Sequence, residues 1–218
     1  MENSFLCDID WEAFLTCVTA LTAVVALVQT QKQIRISNMQ HLFDRRISTL
    51  TIIKNLIRLF ENSDIVSGRP LDNLTLIRAN IDLISLVNNS FFEPIGYKLA
   101  DAVENGTCFE LTQKRNELSN LASSITLIYS GIEAKRIESF VLQYEELLRS
   151  LFLFCSHFSS SKQDELLKDG SLGEYLQGQK DEDYINDLMK AYEGTKEAYF
   201  IQKKDKAFDK IKKQTKLM

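Results

Sequence analysis

From Ala13 to Gln31 the chain carries no charge, no glycine and no proline. A helix of that length rises about 28 Å, which matches the hydrocarbon thickness of a bilayer. At about 100° per residue, Phe14, Val18, Leu21, Val25 and Val28 share one side of it. Thr16, Thr19, Ala20, Thr22, Ala23, Ala26, Gln29 and Thr30 fall mostly on the other, with Leu15 and Leu27 blurring the division. The helical pattern continues through Phe43, Ile47, Leu50, Ile53, Ile57 and Phe60, and neither glycine nor proline occurs before Gly68. One helix is therefore predicted from about Ile9 to Asn62, ended by Gly68 and Pro70.

Further apolar stripes predict the rest. The second helix covers Leu71 to Asn88, with Leu74, Ile77, Ile81, Ile84 and Val87 facing the core. A short third helix follows, with Ser90 as its cap, Pro94 in its first turn and Gly106 after its end. The fourth uses Leu111, Leu118, Leu121, Ile125 and Ile128 and closes at Gly131. The fifth uses Ile137, Phe140, Tyr144, Leu148, Leu151, Cys155 and Phe158, and its aromatic content places it at the centre. Residues 161–182 hold three glycines and many acids and read as a hinge. A last helix, Asp183 to Lys216, carries Ile185, Leu188, Tyr192 and Tyr199 and ends lysine-rich. Strand-like alternation is nowhere sustained. The fold class expected is all-α: an N-terminal transmembrane helix continuing into a cytoplasmic helical bundle. The divisions are a short extracytoplasmic N-terminus (1–12), the span (13–31), the bundle (32–160), and the hinge with the C-terminal helix (161–218).

Charge placement orients the span. Glu2, Asp8, Asp10 and Glu12 precede it with no lysine or arginine; Lys32, Arg35, Arg45, Arg46, Lys54 and Arg58 follow it against Asp44. The positive-inside rule then puts the N-terminus outside and the body in the cytoplasm. Trp11 falls at the outer boundary, where an indole sits well. An acidic N-terminal region disfavours a signal peptide; a buried helix of a soluble protein is the alternative. Threonine and alanine recur four apart (Thr16/Ala20, Thr19/Ala23, Thr22/Ala26), a spacing that lets helices approach closely in lipid. That face packs against another copy, lines a pore within a ring of copies, or belongs to a plain anchor.

Composition narrows the chemistry. Charged residues make up 26% and apolar residues 44%, as in folded globular chains rather than disordered ones. The net charge of −4 implies no global attraction to nucleic acid. Cys7, Cys17, Cys108 and Cys155 are scattered without a CxxC pair, which argues for reduced thiols and against a zinc site. No metal site and no cofactor are expected. The lysine-rich end, "KKDKAFDKIKKQTK", suits anionic headgroups, RNA or an acidic protein partner, or a solvated helix end whose cations the dipole favours.

Histidine is confined to His41 and His157. No GxSxG, HExxH or phosphate-cradling loop is present. "RISNMQH" places Arg35 and His41 six positions apart, and Arg149 precedes His157 by eight. HEPN ribonucleases carry an arginine and a histidine a few residues apart on a helical bundle. There imidazole moves the 2′-hydroxyl proton while guanidinium steadies the phosphate charge.

The segment "QTQKQIRISNMQHLFDRR", directly after one span, resembles small bacterial membrane proteins with a cytoplasmic helical bundle. It is similar to the accessory membrane protein of type VI-B CRISPR systems. That resemblance implies an inner-membrane protein with a divergent HEPN-like bundle, assembling from copies of itself into a pore that strengthens antiphage defence. It maps the ribonuclease pattern onto Arg35 and His41, or onto Arg149 and His157. A membrane-tethered ribonuclease and a scaffold recruiting a partner through the last helix are the alternatives.

Overall fold

A computed structural model describes residues 11–63, 65, 76–96, 98–99, 102–103, 108–159 and 179–216. Among these residues every regular element is an α-helix and none is a strand. Two compact units are present, Met1–Arg45 and Arg46–Met218. Residues 32–45 thus fall with the apolar segment in the first unit, and the helices after residue 178 fall with the second.

Helix α1 runs unbroken over Trp11–Asn62, as the absence of glycine and proline predicts. Within the second unit Leu50, Ile53, Leu56 and Phe60 of α1 are buried, at the three- and four-residue steps of one helical face.

Helix α2 (Leu76–Leu86) turns a different face inward from the one expected. Ala79, Asp82, Leu83 and Leu86 are buried, whereas Ile81 and Ile84 are 56% and 59% exposed. Two apolar stripes compete on this helix. The inward one includes Asp82, which finds a hydroxyl partner inside. Of the expected core positions Val87 is buried; Leu74 and the side chain of Ile77 lie outside the described residues. In the turn before α3 (Glu93–Gly96) the side-chain acceptor is Asn89, the residue before the expected cap Ser90. The Asn89 Oδ1 accepts from the Phe91 and Phe92 N–H groups at 2.8 and 3.1 Å, an Asx turn that seats Phe92 in the core.

Helices α4 (Phe109–Ile128) and α5 (Ile132–Ser159) bury the stripes read from sequence: Leu111, Leu118, Ile125 and Ile128, then Ile137 through Phe158. Leu121 is half-buried against the same core. The Cys108 Sγ caps α4 by accepting from the Leu111 N–H at 3.3 Å. Between the two helices Gly131 has φ +94°, a conformation that favours glycine. Helix α5 is central. It packs against α4 and α2, and against α6 (Gln179–Lys204) and α7 (Ala207–Lys216). The Tyr144 hydroxyl reaches the Leu86 carbonyl at 2.6 Å. Phe60, Phe140 and Tyr199 stack within 5.2–6.3 Å of one another, each pair adding about 0.5–1.5 kcal/mol beyond burial.

Small residues let α6 lie close to α5. A Cβ on Gly194 would collide with the Gln143 side chain, and the Thr195 hydroxyl lies 2.8 Å from the Gln143 carbonyl. The single last helix expected to Lys216 is two. It breaks at Asp205–Lys206, where Lys206 has φ 50°. Leu188, Tyr192, Thr195 and Tyr199 are buried on α6, and Ala207, Ile211 and Thr215 on α7. On one continuous helix those two stripes would sit roughly 120° apart; the break lets both face the core. Of the hinge expected over 161–182, residues 161–178 lie outside the described residues, and residues 179–182 belong instead to the first turn of α6.

Candidate functional site

The apolar part of α1 has an 18-residue window of mean hydropathy 1.9, of which 0% is buried. Phe14, Leu15, Val18, Leu21, Val24, Val25, Leu27 and Val28 are all exposed, and by length and composition this is a candidate membrane span. Trp11 meets Phe14 edge-on at 5.9 Å. Thr16, Thr19, Ala20, Thr22, Ala23, Ala26 and Gln29 are exposed as well. Their hydroxyls turn onto their own helix. Thr16 Oγ1 donates to the Glu12 carbonyl at 2.7 Å, Thr19 to Leu15 at 2.8 Å, Thr22 to Thr19 at 2.8 Å and Thr30 to Ala26 at 2.8 Å. Each O–H donor is satisfied without water, which is how threonine is accommodated in an apolar solvent. The oxygen lone pairs stay available to a neighbour.

Arg35 and His41 are exposed on α1 in the first unit. Six positions of helix separate them by about 9 Å along the axis and about 120° around it, so the helix does not bring them together. Arg149 and His157 lie about 12 Å apart along α5. The Arg149 guanidinium forks onto Glu146, Nε to Oε2 at 3.0 Å and a terminal nitrogen to Oε1 at 2.6 Å. That hydrogen bonding, with nearby acids, raises its pKa further above the usual value. The His157 ring instead stacks on Tyr184 at 4.3 Å and meets the Phe158 edge at 4.9 Å. A groove of about 420 Å³ runs past Phe109, Arg115, Arg149, Phe152 and Leu153. Arg115 there is bound to Glu145 at 2.6 Å. Both guanidinium groups in the groove are therefore partnered by carboxylates, and His157 is not among its lining residues.

A second groove of about 610 Å³ is lined by Ile84, Val87, Asn88, Asn89, Ser90, Glu93 and Leu99. Glu93 is the one titratable group among its described lining residues. No group of three histidine, cysteine or acidic side chains among the described residues is placed to hold a metal ion. Of the thiols, Cys155 is buried, and burial pushes its pKa up to about 12, which leaves it protonated and unreactive.

Sequence reasoning missed the polar contacts inside the second unit. Tyr192 donates to Asp82 Oδ2 at 2.6 Å, with Arg78 Nε 3.9 Å from the same oxygen. Burial and the Asp82 charge push the Tyr192 phenol well above its usual pKa. Tyr199 donates to Glu61 at 2.7 Å beside Lys203. The one sequence signal for the first pair is an aspartate inside the apolar run of α2. These contacts join helices, and none of these residues is among the described lining of either groove.

No protein-family model matches the chain, and neither the curated proteins nor the solved structures contain a match.

Proposed function

We propose that the protein is a single-span membrane protein, N-terminus outside, whose cytoplasmic helical bundle is held at a bacterial inner membrane as an assembly of copies. One observation carries this: the whole apolar window of α1 is uncovered. Removing its eight large apolar side chains from water is worth on the order of 10 kcal/mol. No other helix among the described residues covers them, and lipid does so over the length available. The flanking charges supply the orientation.

Self-association is supported by the threonine–alanine face. Its small side chains permit close helix contact, and its hydroxyl oxygens remain free to accept. A pore would place that face around a lumen, but hydroxyl protons already committed to backbone carbonyls favour helix packing over a wet lining. Size in mild detergent tests the assembly. We expect a discrete particle larger than the monomer, reduced to monomer by Ala20→Leu with Ala23→Leu; a monomer from both proteins contradicts it. Dye leakage from vesicles, lost when Thr16, Thr19 and Thr22 become leucine, is the result that would favour conduction instead. An antiphage role is supported by the sequence resemblance alone. Its test is plaque formation on cells carrying a type VI-B effector with and without this chain.

A further inference from the structure

Arg46 is the first residue of the second unit, the point where the chain enters it from the apolar segment. Its guanidinium donates to the Ile128 carbonyl at 3.1 Å, and its carbonyl accepts from the Tyr129 hydroxyl at 2.8 Å. The α4–α5 turn is thereby fastened to that point. The same turn holds α7. The Ser130 N–H donates to Gln214 Oε1 at 3.2 Å, Gln214 Nε2 returns a bond to the Ser130 carbonyl at 3.0 Å, and Lys210 pairs with Glu133 at 3.0 Å.

Two features here have no use inside the fold. Leu127 and Ile132, on either side of the turn, are 86% and 56% exposed. On α7 the burial of Ala207, Ile211 and Thr215 turns Lys212 and Lys213 outward, and both are exposed. Neither forms an ion pair within 4.0 Å among the described residues.

Exposed apolar side chains on the turn, together with exposed ammonium groups on the helix it holds, match an anionic bilayer surface. The acyl boundary accepts leucine and isoleucine, and the headgroup phosphates attract lysine. RNA would attract the lysines but gives the aliphatic pair no counterpart, because its bases stack on aromatic rings. We infer that the α4–α5 turn and the lysine face of α7 dock on anionic lipid headgroups. This rests on the proposed span. From Gln31 to Arg46 helix α1 rises about 22 Å, so a span ending at Gln31 holds Arg46 within that reach of the headgroups at any tilt. Tethering of this kind gives a high local concentration, and a few weak contacts then suffice.

The test is hydrogen–deuterium exchange on the full chain reconstituted in vesicles of phosphatidylcholine alone or mixed with phosphatidylglycerol. Peptides covering residues 124–134 and 207–216 should exchange more slowly on the mixed vesicles. High salt should abolish the difference. At about fivefold per lysine, Lys212→Gln with Lys213→Gln should lower the protection by an order of magnitude or more, and Leu127→Ser should lower it further. All three positions are exposed, so folding is unaffected. Equal exchange on both vesicle types, with the protein resisting a carbonate wash, overturns the docking surface while the span stands. Release by carbonate overturns both. Slower exchange with a homopolymeric RNA in detergent, and none with anionic vesicles, makes the lysine face a nucleic-acid site and also overturns the inference.

Discussion

Asp82 is 2% exposed, and a carboxylate in that setting destabilises the fold unless it is bonded. The Tyr192 hydroxyl bonds it across helices at 2.6 Å. Tyr192→Phe removes that donor and leaves the acceptor buried, so a loss of about 1.5–3 kcal/mol is expected. The shift of the urea midpoint measures it, and an unchanged midpoint would mean the bond contributes nothing. Glu61 gives the pH dependence. Its carboxyl is held below the usual 4.5, first by the Tyr199 hydroxyl and then by Lys203. A folded pKa below the unfolded one adds stability above the unfolded value and loses it as pH falls through the folded value. Thermal midpoints should therefore drop as pH goes below about 4.5. Glu133 and Glu110 are shifted the same way by their lysine and backbone hydrogen bonds. Glu61→Gln should accordingly flatten the profile in part. A profile identical to wild type would show that the Tyr199–Glu61 contact does not persist in solution.

Two backbone positions govern how the helices join. Gly131 at φ +94° allows α4 to turn into α5, and an added Cβ there would lie 2.8 Å from the Glu133 carboxylate. Gly131→Ala should cost about 1–2 kcal/mol. Lys206 adopts a left-handed conformation, φ 50°, without being glycine. Lys206→Gly should therefore leave stability unchanged or raise it by up to about 1 kcal/mol. A loss of stability in thermal melts would contradict that account of the α6–α7 break. The same elements show what the sequence made legible. Helix stripes with a single apolar face, as on α4 and α5, were readable because periodicity alone decides them. On α2 two faces competed, and a buried tyrosine more than a hundred residues along the chain decided between them. The α6–α7 break was encoded in the change of phase between Leu188–Tyr199 and Ala207–Thr215, a signal that no glycine or proline marks.

At the scale of the whole molecule the chain has a packed second unit and an uncovered apolar helix segment, and the account turns on what solvates the latter. Length, lack of charge and flanking asymmetry made this segment legible from sequence. Partners of its threonine–alanine face were not, because the described residues leave that face exposed. Neither arginine–histidine pair shares one of the two grooves described: helical spacing sets Arg35 apart from His41, and Glu146 and Tyr184 engage Arg149 and His157 separately. Single alanine substitutions at His41 or His157 should therefore leave any RNA degradation by the purified protein unchanged, and loss of cleavage in either would contradict this reading. Trp11 is the only tryptophan and begins the apolar helix, at the outer end of the span in the proposed topology, so it reports on the solvent directly. The decisive measurement is its fluorescence in vesicles whose lipids are brominated either near the headgroup or deep in the chains. The account predicts strong quenching by the shallow bromines and weaker quenching by the deep ones. Emission typical of water, unchanged by either lipid, would contradict it.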